Sequence, residues 1–527
     1  MVSAKILGLK NSADYVTIGL VENIGEEGCR LLFNSLQFLI FFPIVVILYF
    51  AIPQRGKHIW LLAASYFFYM CWNPQYALLM LASTVITYAS GLAIERFRKI
   101  ESQRRAAALK KLAVAVSFVL NLAILIFFKY FYFIFENVKN ILLLWNIQVA
   151  EPAFDIVLPV GISFYTFQAL SYTMDVYRGE IYAERNFCKY ALFVSFFPQL
   201  VAGPIERSKN LLVQISKPHK FEYNRVRRGL LLMLWGFFQK LVIADRAAVL
   251  VNQVYNHSTD YGGMGIIIAT ILFALQIYCD FSSYTDIARG AAEVMGFSLM
   301  KNFQQPYFSK SIAEFWRNWH ISLSSWFKDY LYIPLGGNKR GTVRKYINVM
   351  IVFLVSGLWH GASWHFVFWG FLHGLYQVLG ALFFKIRIWV TDTLNIARQS
   401  HAHHLFQRGF TFALVCFAWI FFRADNLSVA MDMAGRIFTR FDPWILTDGT
   451  LFRMGLDGPN FFILALSAGV LFCVSCAQYY QKSPRDGILS SNLIFRWCVY
   501  FALLFAVLIF GIYGPQYSAS QFIYFQF

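Results

Sequence analysis

The chain has 527 residues, of which 58% are hydrophobic, 19% aromatic and only 14% charged, and its mean hydropathy is +0.51. Because a soluble domain carries about a quarter of charged residues, this composition excludes a water-soluble enzyme or binding domain. The formal net charge of +18 does not indicate nucleic-acid binding, since the basic residues lie in short segments between apolar runs, as the positive-inside rule describes. We predict a multi-pass membrane protein that contacts lipid and binds no nucleic acid.

Apolar runs in the first third of the chain approach or exceed the roughly 20 residues that cross a bilayer. These runs are Leu36 to Ala51, Ile59 to Trp72, Tyr76 to Ile94 and Leu112 to Phe135. In these runs apolar and polar residues do not alternate strictly, as they would in a barrel strand. Such runs satisfy their backbone hydrogen bonds as helices. The predicted fold class is therefore an all-α polytopic membrane protein. Residues 1–30 are more polar and lack a signal-peptide pattern, which predicts an interfacial or mobile N-terminal extension.

Basic segments orient the predicted spans. The densest one covers residues 96–111, and we place it in the cytoplasm with the N-terminus outside. Residues 207–228 form a second basic segment that the same rule places in the cytoplasm. An even number of crossings must separate the two, yet three clear apolar runs lie between them, at Leu112 to Phe135, Val157 to Tyr177 and Phe187 to Val201. Either Ile141 to Val149 also crosses or one run is re-entrant, and the sequence leaves both possibilities open.

Further apolar runs follow a third basic segment at residues 339–345. They are Tyr346 to Trp359, His365 to Phe384, Phe410 to Phe422, Phe461 to Cys476 and Trp497 to Ile512. Successive runs must cross the membrane in opposite directions, which predicts that the C-terminus lies outside. It also places a polar insertion near residues 424–460 outside, either as a docking surface or as a simple loop.

Ionisable residues are costly inside a membrane and are therefore candidates for function. His320 lies in a segment where Trp316, Trp319 and Trp326 recur at helical spacing, which predicts one amphipathic helix at or within the membrane boundary. His360 lies near the outer end of an apolar run, where a neutral imidazole could take a proton from a hydroxyl nucleophile. The alternative is that His360 is a structural, buried histidine whose imidazole donates a hydrogen bond to a neighbouring carbonyl.

A metal site is a second alternative for two histidine groups. These groups are His360, His365 and His373, and His401, His403 and His404. No cysteine or carboxylate completes a ligand set at a compatible spacing, so we predict no metal.

Two segments together resemble the paired motifs of the membrane-bound O-acyltransferase (MBOAT) family. They are Trp316-Arg-Asn-Trp-His320 and Ser356-Gly-Leu-Trp-His360-Gly. Other segments are similar to the alginate O-acetyltransferase branch of that family: Leu32-Phe-Asn-Ser-Leu-Gln-Phe, Gly161-Ile-Ser-Phe-Tyr-Thr-Phe-Gln, Phe197-Pro-Gln-Leu-Val-Ala-Gly-Pro-Ile, Asp280-Phe-Ser-Ser-Tyr-Thr-Asp286 and Pro334-Leu-Gly-Gly-Asn338. The resemblance covers residues 31–527, which are identified as an MBOAT transmembrane domain, and residues 1–30 are a departure from it.

The resemblance implies a multi-helix bundle around a through-membrane tunnel. His360 would be the catalytic residue at the floor of this tunnel, and His320 would line its cytoplasmic approach. The substrate-binding candidates by the same resemblance are Trp316, Asn318, Trp319, Ser356 and Trp359.

The same resemblance implies an acyl transfer in a bacterial plasma membrane. An acetyl group from cytoplasmic acetyl-CoA would reach an extracytoplasmic polysaccharide, with a lipase-like (SGNH-type) extracytoplasmic acyltransferase as partner. Within the family, the alternative is D-alanyl transfer to teichoic acid. Outside it, the alternative is a polytopic transporter or flippase, whose flux would survive loss of the His360 imidazole.

The C-terminal segment Phe522-Ile-Tyr524-Phe-Gln-Phe527 resembles a motif of teichoic-acid D-alanylation machinery, in which a tyrosine relays the acyl group. By this resemblance Tyr524 would attack the thioester carbonyl with help from His360 and hold the acyl group as a phenolic ester. A phenol leaves at a pKa of about 10, so onward transfer need not be uphill. The alternative for this segment is an aromatic anchor at the membrane boundary.

Overall fold

The computed structural model describes residues 31–513 and residue 522, and this part of the chain is helical without a β-strand. Its first half contains α1 (Leu36–Ala51), α2 (Gln54–Met70), α3 (Pro74–Phe97), α4 (Gln103–Leu125), α5 (Phe131–Leu143), α6 (Ile162–Arg178), α7 (Phe187–Ser195), α8 (Ser208–Ile215), α9 (Tyr223–Phe237), α10 (Asp245–Asn256) and α11 (Gly263–Met295). The second half contains α12 (Ile312–Asn318), α13 (Ile321–Phe327), α14 (Thr342–His360), α15 (Trp364–Leu382), α16 (Phe384–Thr393), α17 (His401–Arg423), α18 (Leu427–Thr439), α19 (Gly458–Tyr479), α20 (Pro484–Ser490) and α21 (Leu493–Phe510). Short π-helical segments lie at Ile126–Tyr130, Phe238–Ala244 and Lys328–Tyr332, and 3₁₀ turns lie at Ser258–Asp260, Pro306–Phe308, Pro443–Leu446 and Thr450–Arg453.

Polar residues between the apolar runs set where the helices begin. The Asn73 side chain accepts the backbone N–H of Gln75 at the start of α3, and Asp457 caps α19 in the same way. Pro follows at the start of each of these helices, where its missing N–H costs no helical hydrogen bond. The start of each of these two helices is therefore set by residues that the sequence already contains.

Among the described residues, seven helices are long and apolar enough to cross a membrane, and α15 with α16 makes an eighth if this pair, bent by 53°, is one span. In α11, 61% of the most apolar window is buried inside the protein, whereas in α21 the share is 6%. It follows that α11 lies at the centre of the bundle and α21 faces lipid. The prediction of an all-α multi-pass membrane protein is confirmed.

The structure bears on the open question about crossings between the first two basic segments. Gln103–Leu143 is one helical element of 41 residues, and the chain leaves the helix after it, so residues 144–149 do not cross. α7 has nine residues, about 14 Å at 1.5 Å per residue, which is too short to cross a bilayer. The run Phe187 to Val201 therefore contains no helix long enough to cross, and it is buried within the protein.

Basic loops meet at one end of the bundle, which we call the basic end. The Lys57 ammonium donates to the carbonyl of His219 at 2.8 Å, which joins two of these loops. Glu293, near the end of α11, pairs with Arg228 at 3.2 Å and with Arg485 at 2.8 Å. This is the end that the charge distribution predicts to be cytoplasmic.

The insertion at residues 424–460 packs on the start of α11, opposite the basic end. The backbone N–H of Gly263 donates to the carbonyl of Arg440 at 2.8 Å, and that of Met264 donates to the Asp442 carboxylate at 3.0 Å. Ala430 and Met433 in α18 are fully buried. These contacts make the insertion a folded cap on the bundle.

Helices α14 and α15 approach to backbone contact. A Cβ at Gly357 would lie 2.3 Å from the carbonyl oxygen of Phe366, and one at Gly370 would lie 2.3 Å from that of Phe353. Only glycine fits at either position, as in other close helix pairs in membranes. This contact fixes the end of α14, where His360 lies, against α15.

Candidate active site

His360 is the last residue of α14 and is 4% exposed. Its ring lies 5.0 Å from the rings of Trp359 and Trp369 and 5.3 Å from that of Phe422, all measured between centroids. Three helical elements, α14, α15 and α17, therefore determine the orientation of one imidazole. Packing of this kind holds a side chain in a single geometry.

Lys129 contacts the same end of α14. Its ammonium donates to the carbonyls of Trp359 at 2.7 Å and His360 at 3.2 Å, and it lies 3.4 Å from the Ser163 hydroxyl. The last carbonyls of a helix lack intrahelical partners and carry partial negative charge, so a cation there is stabilising. Lys129 thus holds the end of α14 through hydrogen bonds to its last two carbonyls.

A small cavity of about 70 Å³ lies beside these two residues, and we call it the outer cavity. Its lining comprises Lys129, residues 158–164, Val201, Trp359 and His360. One water needs roughly 10–15 Å³ of such volume, so the outer cavity has room for a group of only a few atoms. It lies at the end of α14 that is away from the basic segment 339–345.

The expected continuous amphipathic helix around His320 is wrong, because the structure breaks it into α12 and α13. His320 itself adopts a left-handed conformation with φ of 43°. Backbone bonds from another segment replace the helical ones: Gln304 N–H donates to the Asn318 carbonyl and Ile321 N–H to that of Asn302, both at 3.0 Å. Trp316, Trp319 and Trp326 are each at most 7% exposed, so the three tryptophans remain buried on both sides of the break.

The break points the His320 ring into the bundle, where it is fully buried. Its ring centroid lies 4.7 Å from that of Phe281, 5.9 Å from that of Trp359 and 6.4 Å from that of His360. The two histidines that the sequence motifs predict are thus brought together. They belong to one layer of packed aromatic rings.

A larger cavity of about 550 Å³ lies toward the basic end, and we call it the basic cavity. Its lining includes four cationic side chains and one carboxylate, those of Arg289, Lys301, Lys482, Arg485 and Asp286. In the described part of the chain Lys301 and Lys482 form no ion pair. The surplus of positive charge suits an anionic ligand.

Aromatic contacts connect the basic cavity to His320. Phe303 lines the cavity and lies 5.0 Å from Phe281, which in turn contacts His320. Asn302, also in the lining, accepts the backbone N–H of Ser322 with its side chain at 3.3 Å. The basic cavity and the outer cavity therefore approach the same histidine pair from opposite ends.

The predicted substrate-binding residues are divided among three places. Trp359 lines the outer cavity, whereas Trp316 and Ser356 line a separate cavity of about 400 Å³ between α12, α13 and α14. Trp319 is buried in the aromatic layer, and the Asn318 side chain donates to the Ser309 hydroxyl at 3.2 Å. Asn318 thus helps to hold the helix break and lines none of these cavities.

Tyr524 lies outside the described residues. Within residues 31–513 and 522, no group of three His, Cys, Asp or Glu side chains is placed to hold a metal ion. The Trp316 indole donates to Nδ1 of His373 at 3.1 Å, and Nδ1 of His365 lies 3.0 Å from the Ser363 hydroxyl. His365 and His373 therefore have protein partners of their own.

Sequence reasoning missed Lys129 and the cations of the basic cavity. Lys129 lies inside the apolar run Leu112 to Phe135, and a lysine inside a span is a functional candidate by its cost alone. That signal was available. Lys301 and Lys482 lie in separate loops, and nothing in their local sequence indicates a shared cavity.

Comparisons with known proteins show which family this chain belongs to. Residues 184–423 match the family model of the membrane-bound O-acyltransferases. A Pseudomonas putida protein named probable alginate O-acetylase AlgI is 35% identical over 516 residues, which is 94% of this chain and 100% of the relative. This chain belongs to the membrane-bound O-acyltransferase family.

The predicted family membership is thereby confirmed. This O-acyltransferase is also 30% identical over 557 residues to the peptidoglycan O-acetyltransferase of Helicobacter pylori, which covers 94% of this chain and 98% of the relative. It is 27% identical over 240 residues to the teichoic acid D-alanyltransferase of Streptococcus thermophilus, which covers 42% and 56%. The similarity to the O-acetylating relatives extends along the chain, whereas the similarity to the D-alanylating one does not.

Proposed function

We propose that this O-acyltransferase moves an acetyl group from acetyl-CoA at the basic end to a hydroxyl of an extracytoplasmic polysaccharide. The observation that carries the proposal is that His360 lines the outer cavity while Phe303 and Phe281 connect the basic cavity to the neighbouring His320. Full-length similarity to an alginate O-acetylase and a peptidoglycan O-acetyltransferase supports acetyl as the group and a polysaccharide as the acceptor.

The basic cavity is suited to the donor. Coenzyme A carries several phosphates, and the complementary charge comes from Lys301 and Lys482, because Arg289 and Arg485 are already paired with Asp286 and Glu293. The acetyl end would then lie toward Phe303 and His320. The small outer cavity favours a group of a few atoms over a long acyl chain.

His360 would act as the base for the nucleophile. In the first step, a hydroxyl oxygen bonds to the acetyl carbon, the carbon–sulfur bond breaks, and the hydroxyl proton passes through the imidazole to the departing thiolate. The charge of Lys129 beside His360 stabilises the negative charge that develops on the carbonyl oxygen. Coenzyme A leaves as a thiol on the side from which it entered.

We propose Tyr524 as the nucleophile of this step. In the second step, a sugar hydroxyl attacks the phenolic ester, the bond between the phenolic oxygen and the acetyl carbon breaks, and the sugar proton returns to the phenolate. A lipase-like SGNH-type protein outside the membrane would guide this second transfer as a partner. D-alanyl transfer is less well supported, because the D-alanylating relative matches less than half of the chain.

Intact-protein mass spectrometry after incubation with acetyl-CoA tests the proposal. We expect an acetyl-sized adduct on Tyr524 in the native protein and none in His360→Ala or Tyr524→Phe. Matched controls are His257→Ala and Tyr513→Phe, which alter exposed side chains and should keep the adduct.

Other outcomes separate the alternatives. Thioester hydrolysis that depends on His360, without any adduct, would mean direct transfer to the acceptor and leave Tyr524 as an anchor. No His360-dependent chemistry with any thioester donor would reject the enzyme and favour a transporter.

A further inference from the structure

The π-helical segment Phe238–Ala244 contacts the C-terminal part of the chain at several points. The backbone N–H of Ile512 donates to the carbonyl of Leu241 at 3.1 Å. Arg246, which follows this segment, donates to the carbonyl of Phe510 at 2.8 Å and to the Asn460 side chain at 3.0 Å. The end of α21 is therefore attached to this part of the bundle through backbone groups.

Phe522 lies on the same segment and is 1% exposed. The Lys240 ammonium lies 4.5 Å from the centroid of its ring, and the ring of Tyr284 meets it edge to face at 5.0 Å. A cation over an aromatic face is attracted most strongly where both are removed from water. A C-terminal side chain is thus buried in the interior of the bundle beside a charged group.

Lys240 is held in position by two carboxylates. Its ammonium lies 2.9 Å from Asp245 and 2.6 Å from Asp280, and all three side chains are at most 6% exposed. The two acids come from different helices, α10 and α11. A buried cation with two such partners cannot move without a large electrostatic cost, so it offers a fixed point for the Phe522 ring.

This fixed point lies close to the outer cavity. The Tyr284 ring contacts Phe522, and its hydroxyl lies against the backbone of Val201 and Ala202. Val201 belongs to the lining of the outer cavity that includes His360. Two residues of extended chain span at most about 7 Å, so whatever fixes Phe522 limits where Tyr524 can reach.

We propose that Lys240, Asp245, Asp280 and Tyr284 form an internal dock for the C-terminal segment, in which Phe522 is the anchor and Lys240 the positioning residue. The dock requires an aromatic ring at position 522, because only a ring can offer a face to the ammonium and form the edge-to-face contact with Tyr284. Its role in placing Tyr524 rests on the proposed function, whereas the dock itself does not.

Hydrogen–deuterium exchange of the full-length protein in nanodiscs tests the dock through the C-terminal peptide that contains residue 522. Phe522→Leu keeps an apolar side chain but removes the ring, and we expect uptake on the order of tenfold faster. Phe522→Tyr keeps the ring and should exchange like the native protein. The control Phe505→Leu alters an exposed side chain of α21 and should leave uptake in this peptide unchanged.

The acetyl adduct is measured on the same samples. Faster uptake with less Tyr524 adduct in Phe522→Leu supports both the dock and its positioning role. If uptake is faster in Phe522→Leu but even the native protein forms no adduct, the dock is supported and acyl transfer through Tyr524 is rejected. Unchanged uptake in Phe522→Leu overturns the dock, whatever happens to the adduct.

Discussion

Lys129 holds two carbonyls at the end of α14, one of them that of His360. Lys129→Met removes the charge and leaves buried carbonyls without this donor, so we expect kcat for acetyl transfer to fall roughly ten- to hundredfold with little change in KM. Lys129→Arg keeps the charge and should recover part of the rate. Steady-state kinetics and thermal unfolding of the same variants provide the measurement.

The matched control for that change is Lys139→Met, which removes a lysine that pairs with Glu151 at the surface and should have almost no effect. A purely structural role for Lys129 predicts a different pattern. Lys129→Met and Lys129→Arg would then lower the melting temperature equally, and kcat would fall only in proportion to the folded fraction.

For single residues, the sequence indicated the two motif histidines because each is a titratable group in an apolar setting. It could not indicate their contacts. Lys129 reaches a carbonyl 230 positions later in the chain, and no local pattern in one sequence encodes a pairing at that separation. Nor could the sequence indicate that the Asn318 side chain, which belongs to a predicted binding motif, donates to the Ser309 hydroxyl.

Between elements, the contact of α14 with α15 has no room for a side chain at Gly357. Gly357→Ala should separate the helices and displace His360, with a loss of about 1–3 kcal/mol of stability and a larger loss of activity. Gly380→Ala, in α15, meets open space and should be neutral or slightly stabilising, because alanine favours the helix. Thermal unfolding and acetyl transfer measure both, and equal effects of the two changes would contradict the close-packing argument.

Some features of the helices are set by residues close in sequence, whereas others depend on distant segments. Span positions follow from apolar length and from capping side chains, so most predicted runs match helices of the structure. The break at His320 is not local, because no glycine or proline occurs at residues 318–321 and the segment around Asn302 supplies the competing hydrogen bonds. Periodicity alone therefore predicts a continuous helix there.

For the molecule as a whole, the basic cavity should set donor affinity. Lys301→Ala and Lys482→Ala each remove a cation from its lining, and we expect KM for acetyl-CoA to rise roughly five- to thirtyfold at unchanged kcat, with a weaker dependence on salt. Lys99→Ala removes an exposed lysine outside the cavity and is the control. An unchanged KM in both cavity variants would show that the donor binds elsewhere.

The sequence predicted the whole molecule in outline, as a multi-pass bundle of the MBOAT type with its basic loops on one side. The cavities themselves could not be predicted, because each combines residues from distant helices. The basic cavity, for example, joins Trp235, Asp286, Lys301 and Arg485. Only the packing of α9, α11, α19 and α20 brings them together.

The ring layer between the two cavities has an electrical consequence. An ion that moved from one cavity to the other would have to pass Phe281, His320 and Trp359, which are fully or almost fully buried, and a bare charge is unstable in such surroundings. The ring layer therefore blocks the flow of ions between the basic cavity and the outer cavity. Under the proposed function, the transferred acetyl group carries no charge, so its passage would draw nothing from the membrane potential.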